Sequence, residues 1–393
     1  MIKANRKLLK QAVDDIVFVD RKTASISPIM GKLENDLLYL FYKSFECNVW
    51  FYVPVTKTKD DDELEFSVNI QKLASILNSW SCDTVQLQNV DEKLRLKNGR
   101  SQVTLPKLDD EYYDDIPDTD IEDATLLGQL DLSISGYYDS DYFGENRISN
   151  EFLDSASNTL SYVSKTESFD GVLSCVHIKK EDDEDYVLIE ASDRQKIYQD
   201  KLNFDGEGVS FDYLITDKLM EVILRLLRFN TERQNAHVVS IYKDSDDYLF
   251  FGYDTGVFRI ATFIDSTYPS ALSEILEGSF RKDISFDKAE MLEQLKVCDV
   301  VASGDSVIIA SSKELSIIKP KDTEYESNFE FEKMECFLES PVSFKINGKF
   351  FKDIIGSFKS NTLNLSRNKN KISIWGEGDD EANKVALLTE LIS

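Results

Sequence analysis

The feature that most constrains this chain is a repeat. Amphipathic helix patterns fall near residues 4–14, 68–80, 150–165, 217–230, 287–298 and 348–359. Alternating apolar and polar runs broken by turn signals fill the gaps between them. In "DTVQLQNVDEKLRLKNGRSQVTL" three short strands are expected, with Asn98-Gly99 as a type I′ turn. "AHVVSIYKDSDDYLFFGYDTGVFRIATF" gives three more, and "DSVIIASSKELSIIKP" and "NTLNLSRNKNKISIWGEG" repeat the hairpin theme. The helix starts are 64, 82, 67, 70 and 61 residues apart, so a unit of one helix plus several antiparallel strands recurs six times. Two units per domain predict an α+β chain of three domains: 1–120, 121–268 and 269–393. The longest interval holds "SGYYDSDYFGENRIS", which reads as a linker or insertion within about 121–149.

The chain carries 45 basic and 72 acidic residues, a net charge of −27, which argues against nucleic-acid binding over the whole surface. A local basic lining remains compatible with it. Residues 216–233, "TDKLMEVILRLLRFNTER", put Lys218, Arg225 and Arg228 on one stripe, with Arg233 beyond and Leu219, Val222, Ile223, Leu226 and Leu227 opposite. The first helix region has Lys3, Arg6, Lys7 and Lys10 before its first acid, Asp14. The last has Lys349, Lys352 and Lys359. The second offers only Lys72, and the fifth Lys288 and Lys296 beside Glu290 and Glu293. A charged stripe is more often a solvated face. Helices sharing one surface would instead form a positive face for phosphates, holding DNA by counterion release without reading bases.

Little in the sequence suggests catalysis. The only histidines, His177 and His237, sit in strand patterns, and the five cysteines are scattered, as expected of free thiols. No zinc spacing, nucleotide-binding glycine motif or GxSxG elbow occurs, and Gly206-Glu207-Gly208 and Gly376-Glu377-Gly378 fit neither phosphate-loop pattern. The acidic runs Asp60–Glu63, Asp109–Glu111 and Glu181–Asp185 read as solvated loops and hairpin tips. No metal, cofactor or enzyme is expected. The N-terminus lacks signal-peptide character, and no apolar run reaches the roughly 20 residues of a membrane span, so a cytoplasmic location is expected.

In order and spacing these segments resemble the bacterial-type DNA polymerase sliding clamp, the β subunit of the replicative polymerase. "VQLQNVDEKLRLKNGRSQVTLPKLDDEYYDDIP" is similar to that family's strand run ending in an acidic loop and a proline. "VLIEASDRQKIYQ" resembles its "ATDGHRLA", and "FRIATFIDSTYPSAL" its approach to "FPDY". "SFDKAEMLEQLKVCDVVAS" and "FKINGKFFKDII" resemble the starts of the third domain's helices. The resemblance implies three domains in a head-to-tail dimeric ring, helices lining a hole for duplex DNA, and a processivity factor that tethers its polymerase and meets its loader through a short peptide.

By position, the implied peptide pocket holds Leu173, Ser192, Arg194, Gln195, Lys196 and Ile197. Pro269, Ser273, Asn347 and Phe350 join it, with Lys369 and Lys371 on the rim and Val385, Ala386, Leu387, Leu388 and Thr389 from the final strand. The implied subunit contact sets Val103 and Leu105 against Val301 and Ala302 of a second copy. The family's Gly-His-Arg is Arg194-Gln195-Lys196 here, and its C-terminal "MPMRL" is "LLTEL" followed by Ile392 and Ser393, so the preferred peptide is expected to differ. This divergence and the acidic insertions suggest a virus- or phage-encoded member. Two other readings stand beside it: an acidic clamp-fold interaction platform, and a metal-dependent nuclease or phosphatase using Asp183 or Asp185.

Overall fold

The computed structural model describes residues 1–23, 28–58, 63–108, 124–131, 146–165, 171–234, 238–243, 248–253, 256–262, 267–269, 281–302, 307–321, 328–377 and 384–389. The chain opens with β1 (Ile2–Asn5), α1 (Arg6–Thr23), β2 (Ile29–Glu34), β3 (Leu37–Lys43), β4 (Cys47–Lys57) and β5 (Glu65–Val68). Then follow α2 (Ile70–Ser79), β6 (Thr84–Val90), β7 (Lys93–Asn98), β8 (Ser101–Pro106), β9 (Thr125–Asp131) and β10 (Arg147–Ile148). α3 (Phe152–Thr159) precedes β11 (Cys175–Lys180), β12 (Tyr186–Ser192), β13 (Lys196–Asp205) and β14 (Phe211–Thr216). α4 (Asp217–Gln234) precedes β15 (Val238–Lys243), β16 (Leu249–Tyr253), β17 (Gly256–Ile260) and β18 (Ile284–Asp287). α5 (Lys288–Ala302) leads to β19 (Val307–Ser311), β20 (Ser316–Pro320), β21 (Phe329–Glu330), β22 (Met334–Cys336) and β23 (Val342–Ile346). α6 (Gly348–Ser357) and β24 (Thr362–Asn368), β25 (Lys371–Gly376) and β26 (Lys384–Thr389) complete the chain.

All six expected helices are present. The repeat is most explicit in α2 and α6, ten residues each. Asn69 caps α2 by accepting from the Lys72 amide at 3.0 Å, and Asn347 caps α6 by accepting from the Phe350 amide at 2.9 Å. Both bury one stripe: Ile70, Leu73, Ala74 and Leu77 in α2, and Gly348, Phe351, Ile354 and Ile355 in α6. Several boundaries moved: α1 runs on to Thr23, α4 to Gln234 and α5 to Ala302, and two other shifts have a visible cause. α1 starts at Arg6 because residues 2–5 are drawn into a strand, with the Asn5 carboxamide accepting from the Lys7 amide at 2.9 Å. α3 stops at Thr159, where the chain turns to bury Tyr162 and Val163.

Contacts divide the chain into two units, and both draw on the segment 121–268. Unit 1 is Met1–Leu153, Phe204–Ser210 and Lys218–Ile264. Its largest sheet runs β5-β2-β3-β4-β17-β16-β15-β9-β10, antiparallel except for the last pair. The far end of the long strand β4 turns to β1, which leads through β6 and β7 to β8. Unit 2 is Asp154–Asn203, Phe211–Asp217 and Asp265–Ser393. Its main sheet runs β14-β11-β12-β13-β26-β25-β24-β18-β22, and β21-β20-β19-β23 form a second.

The hairpin turns carry one correction. The β7–β8 loop is Gly99-Arg100, closed by Asn98 opposite Ser101, and only Gly99 has positive φ, +58°. That pattern belongs to type II′ and not the expected I′. The I′ signature lies one hairpin earlier, at Asp91 and Glu92 (φ 49° and 58°), where no glycine advertised it. Gly206 and Gly208 have structural roles. A Cβ on Gly206 would lie 2.6 Å from the Asn146 Cα, and Gly208 has φ +70°.

Candidate nucleic-acid face and peptide site

The fourteen basic residues expected on a DNA-facing surface separate by what their charges do. Lys3 lies on β1, not on a helix. Arg6 and Lys288 are each the first residue of a helix, and each is turned toward the end of the neighbouring one. Arg6 donates to the Leu77 and Cys82 carbonyls at 2.9 and 2.7 Å, and Lys288 to the Phe358 carbonyl. The last carbonyls of α2 and α6 lack intrahelical donors, and a cation there satisfies both the bond and the dipole. These two residues are structural.

Four more face acids. Lys10 pairs with Asp14, Lys352 with Asp299 at 2.9 Å, Lys359 with Asp154 at 3.0 Å and Arg225 with Asp15 at 3.2 Å. The last pair corrects the expected role of Arg225. Asp15 on α1 is fully buried, and the guanidinium from α4 supplies its counter-charge. Lys22 of α1 reaches Glu221 of α4, and the Lys22 and Arg225 cations each lie 5.7 Å from the Phe18 ring. The positive stripe on α4 therefore partly clasps α1.

Lys7, Lys72, Lys296 and Lys349 remain, exposed on α1, α2, α5 and α6, with no acidic partner within 4 Å among the described residues. Lys218 is exposed at the start of α4; for Arg228 and Arg233 the description stops at the helix backbone.

The residues expected in the peptide pocket all belong to unit 2, and several are core. Ser192, Ile197, Ala386 and Leu388 are buried at 0, 4, 0 and 1% exposure. Leu173 is nearly so, in a 3-10 turn Gly171–Ser174 whose Leu173 carbonyl accepts from Ser164. Asn347 is committed to capping α6. β26 pairs with β13 on one side and β25 on the other, so a peptide has no free backbone edge on it. For Leu387 and Thr389 the description stops at the backbone, and Ser273 and His237 lie outside the described residues.

What does come together is a cation and two rings. The Asp193 side chain accepts from the Gln195 and Lys196 amides at 3.0 and 2.9 Å, and Arg194 takes a left-handed φ of 73°. This turn delivers the Lys196 side chain to the Ser161 carbonyl, 5.1 Å from the Tyr162 ring centre and 4.9 Å from that of half-buried Phe350. Burial pushes the Lys196 ammonium down from its ordinary value; Lys165 and Lys349 push the same way against Asp193 and Asp353. Ser161 and Tyr162 fell inside the helix expected near 150–165, and only the early stop at Thr159 frees them to meet Lys196. Lys369, Lys371 and Pro269 are exposed, and Val385 is half-buried.

A second polar group was also invisible in sequence. His177 on β11 is buried between Glu190 of β12 and Asp212 of β14, each 2.8 Å from a ring nitrogen. It stacks on Tyr268, ring centres 4.5 Å apart, and Glu190 also accepts from Gln199 at 3.2 Å.

At the expected subunit contact, β8 pairs only with β7 among the described residues, leaving an open edge. Leu105 is buried within the chain at 5% exposure, so it presents no side chain to a partner; Val103 is half-buried. On α5 the apolar exposure falls at Val297 and Val300, 38 and 87% exposed. Val301 is half-buried, and Ala302 is described by its backbone alone.

No known family's sequence model matches the chain. A curated relative, the beta sliding clamp of Helicobacter pylori, is 19% identical over 359 residues, covering 90% of this chain and 87% of its own. The DNA polymerase sliding clamp of Pseudomonas aeruginosa superposes with a TM-score of 0.81 at 15% identity, covering all of both chains. The chain has the sliding-clamp fold. The Streptococcus pyogenes β subunit of DNA polymerase matches this clamp fold with a TM-score of 0.80 at 14% identity, again over both whole chains. The Helicobacter pylori clamp bound to a DNA ligase peptide does so at 0.78 and 15%. Among the described residues no helix is long and apolar enough to cross a membrane, and no three His, Cys, Asp or Glu side chains gather as a metal site.

Proposed function

We propose that this protein is a DNA sliding clamp, a cytoplasmic and non-enzymatic processivity factor. Two copies of three domains each, 1–120, 121–268 and 269–393, close head to tail around duplex DNA and tether a polymerase. The observation that carries this reading is the clamp fold over the whole chain, reached alongside a curated clamp relative in sequence. The mechanism is topological. Lys7, Lys72, Lys296 and Lys349 make weak contacts to the phosphate backbone that salt screens and that permit sliding, while closure prevents escape. A tethered polymerase then meets the primer end at a raised effective concentration. The edge of β8 near Val103, unpaired among the described residues, meets Val297, Val300 and Val301 of the second copy, a heterologous contact that closes after two subunits.

The test is retention. The protein is threaded over the free end of a duplex anchored at its other end; the free end is then blocked and the complex washed in high salt. Retention until the DNA is cut is expected, with a solution mass of twice 45.0 kDa. Val300→Asp is expected to give the single mass and lose retention. Reversing Lys7, Lys72, Lys296 and Lys349 together to Glu should weaken loading several-fold without altering the thermal midpoint. Equal loss from blocked and open DNA overturns ring closure. The pairing of Lys10, Lys352, Lys359 and Arg225 with acids favours a second reading, a clamp-fold interaction platform without DNA, which that outcome would select.

A further inference from the structure

We propose that His177 and Tyr268 form a proton-operated latch: the imidazolium seats Tyr268 on the unit 2 sheet, and loss of one ring proton unseats it. Neither ring closure nor a DNA ligand enters into it. Tyr268 belongs to residues 267–269, just past the point between Ile264 and Asp265 where the chain passes from unit 1 to unit 2. His177 lies on β11, where register sets it beside Glu190 of β12 and Leu214 of β14. Tyr268 packs with that same Leu214 and with Cys175, two residues back along β11. It therefore covers the face of the sheet on which His177 stands.

Both ring nitrogens meet a carboxylate: Nδ1 is 2.8 Å from Glu190 and Nε2 is 2.8 Å from Asp212. Ionised carboxylates only accept, so both contacts are hydrogen bonds only while both nitrogens carry a proton. A neutral imidazole has one N–H, and its other nitrogen would turn a lone pair on an oxygen. Glu190 is fully buried and also held by Gln199, whereas the Asp212 side chain is 56% exposed. The repulsion is therefore relieved at Asp212, which turns to water and leaves the ring without its second anchor. The charge facing Tyr268 goes with the proton. The two rings stack with centres 4.5 Å apart and planes at 22°, a geometry that attracts a cation to the phenol face. Little else holds Tyr268 polar end first: its hydroxyl is buried without a hydrogen-bond partner among the described residues, which is a standing cost. The other titratable groups near the ring are Lys179, Cys175 and the Tyr268 phenol. Lys179 lies opposite Asp212 in register and pairs with Glu181 at 2.5 Å, and burial keeps the thiol and phenol neutral by pushing their pKa values up. Burial lowers the His177 pKa, but the hydrogen bonds and charges of Asp212 and Glu190 outweigh it and raise it above 6.5. The latch is thus closed below that raised value and opens as pH rises through it.

The test is magnetic resonance of isotope-labelled histidine in the full chain, which has two histidines, so that His237→Gln leaves the His177 signal alone. Below its titration, the His177 ring-proton resonance is expected upfield of its position in Tyr268→Leu, the ring-current mark of the stack. As His177 deprotonates, the two positions should converge. Linkage demands a reciprocal effect: if deprotonation unseats Tyr268, then Tyr268→Leu must lower the His177 midpoint, by about half to one pH unit for one cation–π contact. Asp212→Asn separates the latch from simple packing. Its amide can turn a donor to a bare ring nitrogen, so the stack should survive deprotonation, and the exposed position leaves the fold intact. An upfield displacement that persists through the parent's whole titration overturns the latch. So does an unchanged midpoint in Tyr268→Leu, or a stack lost in Asp212→Asn as fully as in the parent. A His177 that does not titrate between about pH 6 and pH 10 overturns it as well.

Discussion

Arg225→Glu is expected to destabilise the protein by about 3 kcal/mol, before any effect on DNA is measured. The substitution removes the cation opposite Asp15 and adds a second carboxylate near a side chain with no solvent exposure. Arg225 itself is 48% exposed, so a neutral Arg225→Met should cost less, about 1–2 kcal/mol. The loss should appear in urea unfolding, and Asp15→Asn in the Arg225→Glu background should recover part of it by removing the repulsion. Lys7→Glu is the contrast: exposed, with no acidic partner within 4 Å among the described residues, it should change stability by no more than about 0.5 kcal/mol. An Arg225→Glu protein as stable as the parent would show that the α1–α4 clasp carries little, and would return Arg225 to the set of residues available to phosphate.

Arg225 also marks where sequence reasoning stops. Helical spacing correctly set Arg225 opposite the apolar face of α4, because period is local. Whether a residue on the outer stripe meets water, DNA or another helix depends on what packs there, and Asp15 lies 210 positions away. The same limit explains Arg6 and Lys288. A basic residue at the first position of a helix looks exposed in a helical projection, yet both point to carbonyls at the end of the helix that follows in the repeat. The caps Asn69 and Asn347 depend only on amides three positions on, yet neither was singled out as a cap in the sequence. At the peptide site, Arg194, Gln195 and Lys196 were placed by the family resemblance, while the partners Ser161 and Tyr162 were not. Leu105 shows the converse error: transferring an interface by position overlooked that its alternating strand faces this chain's own core.

The buried His177 makes the second large prediction. Burial alone would lower its pKa, but hydrogen bonds and charge from Asp212 and Glu190 outweigh it and hold the value above the ordinary 6.5. Asp212 is held below its ordinary value, chiefly by its hydrogen bond to His177 and further by Lys179 on the same strand. Among the described residues, Tyr268 stacks on the ring, Gln199, which is neutral, donates to Glu190, and burial pushes up the pKa values of Tyr268 and of Cys175 packed with it. The folded state thus favours protonated His177. Its contribution is complete below the unfolded value near 6.5 and is lost as pH rises through the higher folded value, at no more than about 1.4 kcal/mol per pH unit. The Asp212 contribution has the opposite sign, present above 3.8 and lost as pH falls through its lowered value, so the pair is strongest between the two limits. His177→Phe keeps a ring against Tyr268 but leaves Glu190 buried without its cation, at a cost of about 3 kcal/mol near pH 6. Because the parent loses its own contribution on the alkaline side, the gap between parent and variant should narrow toward pH 9. Urea midpoints across that range test this, and a gap constant with pH would mean that the histidine contributes packing alone.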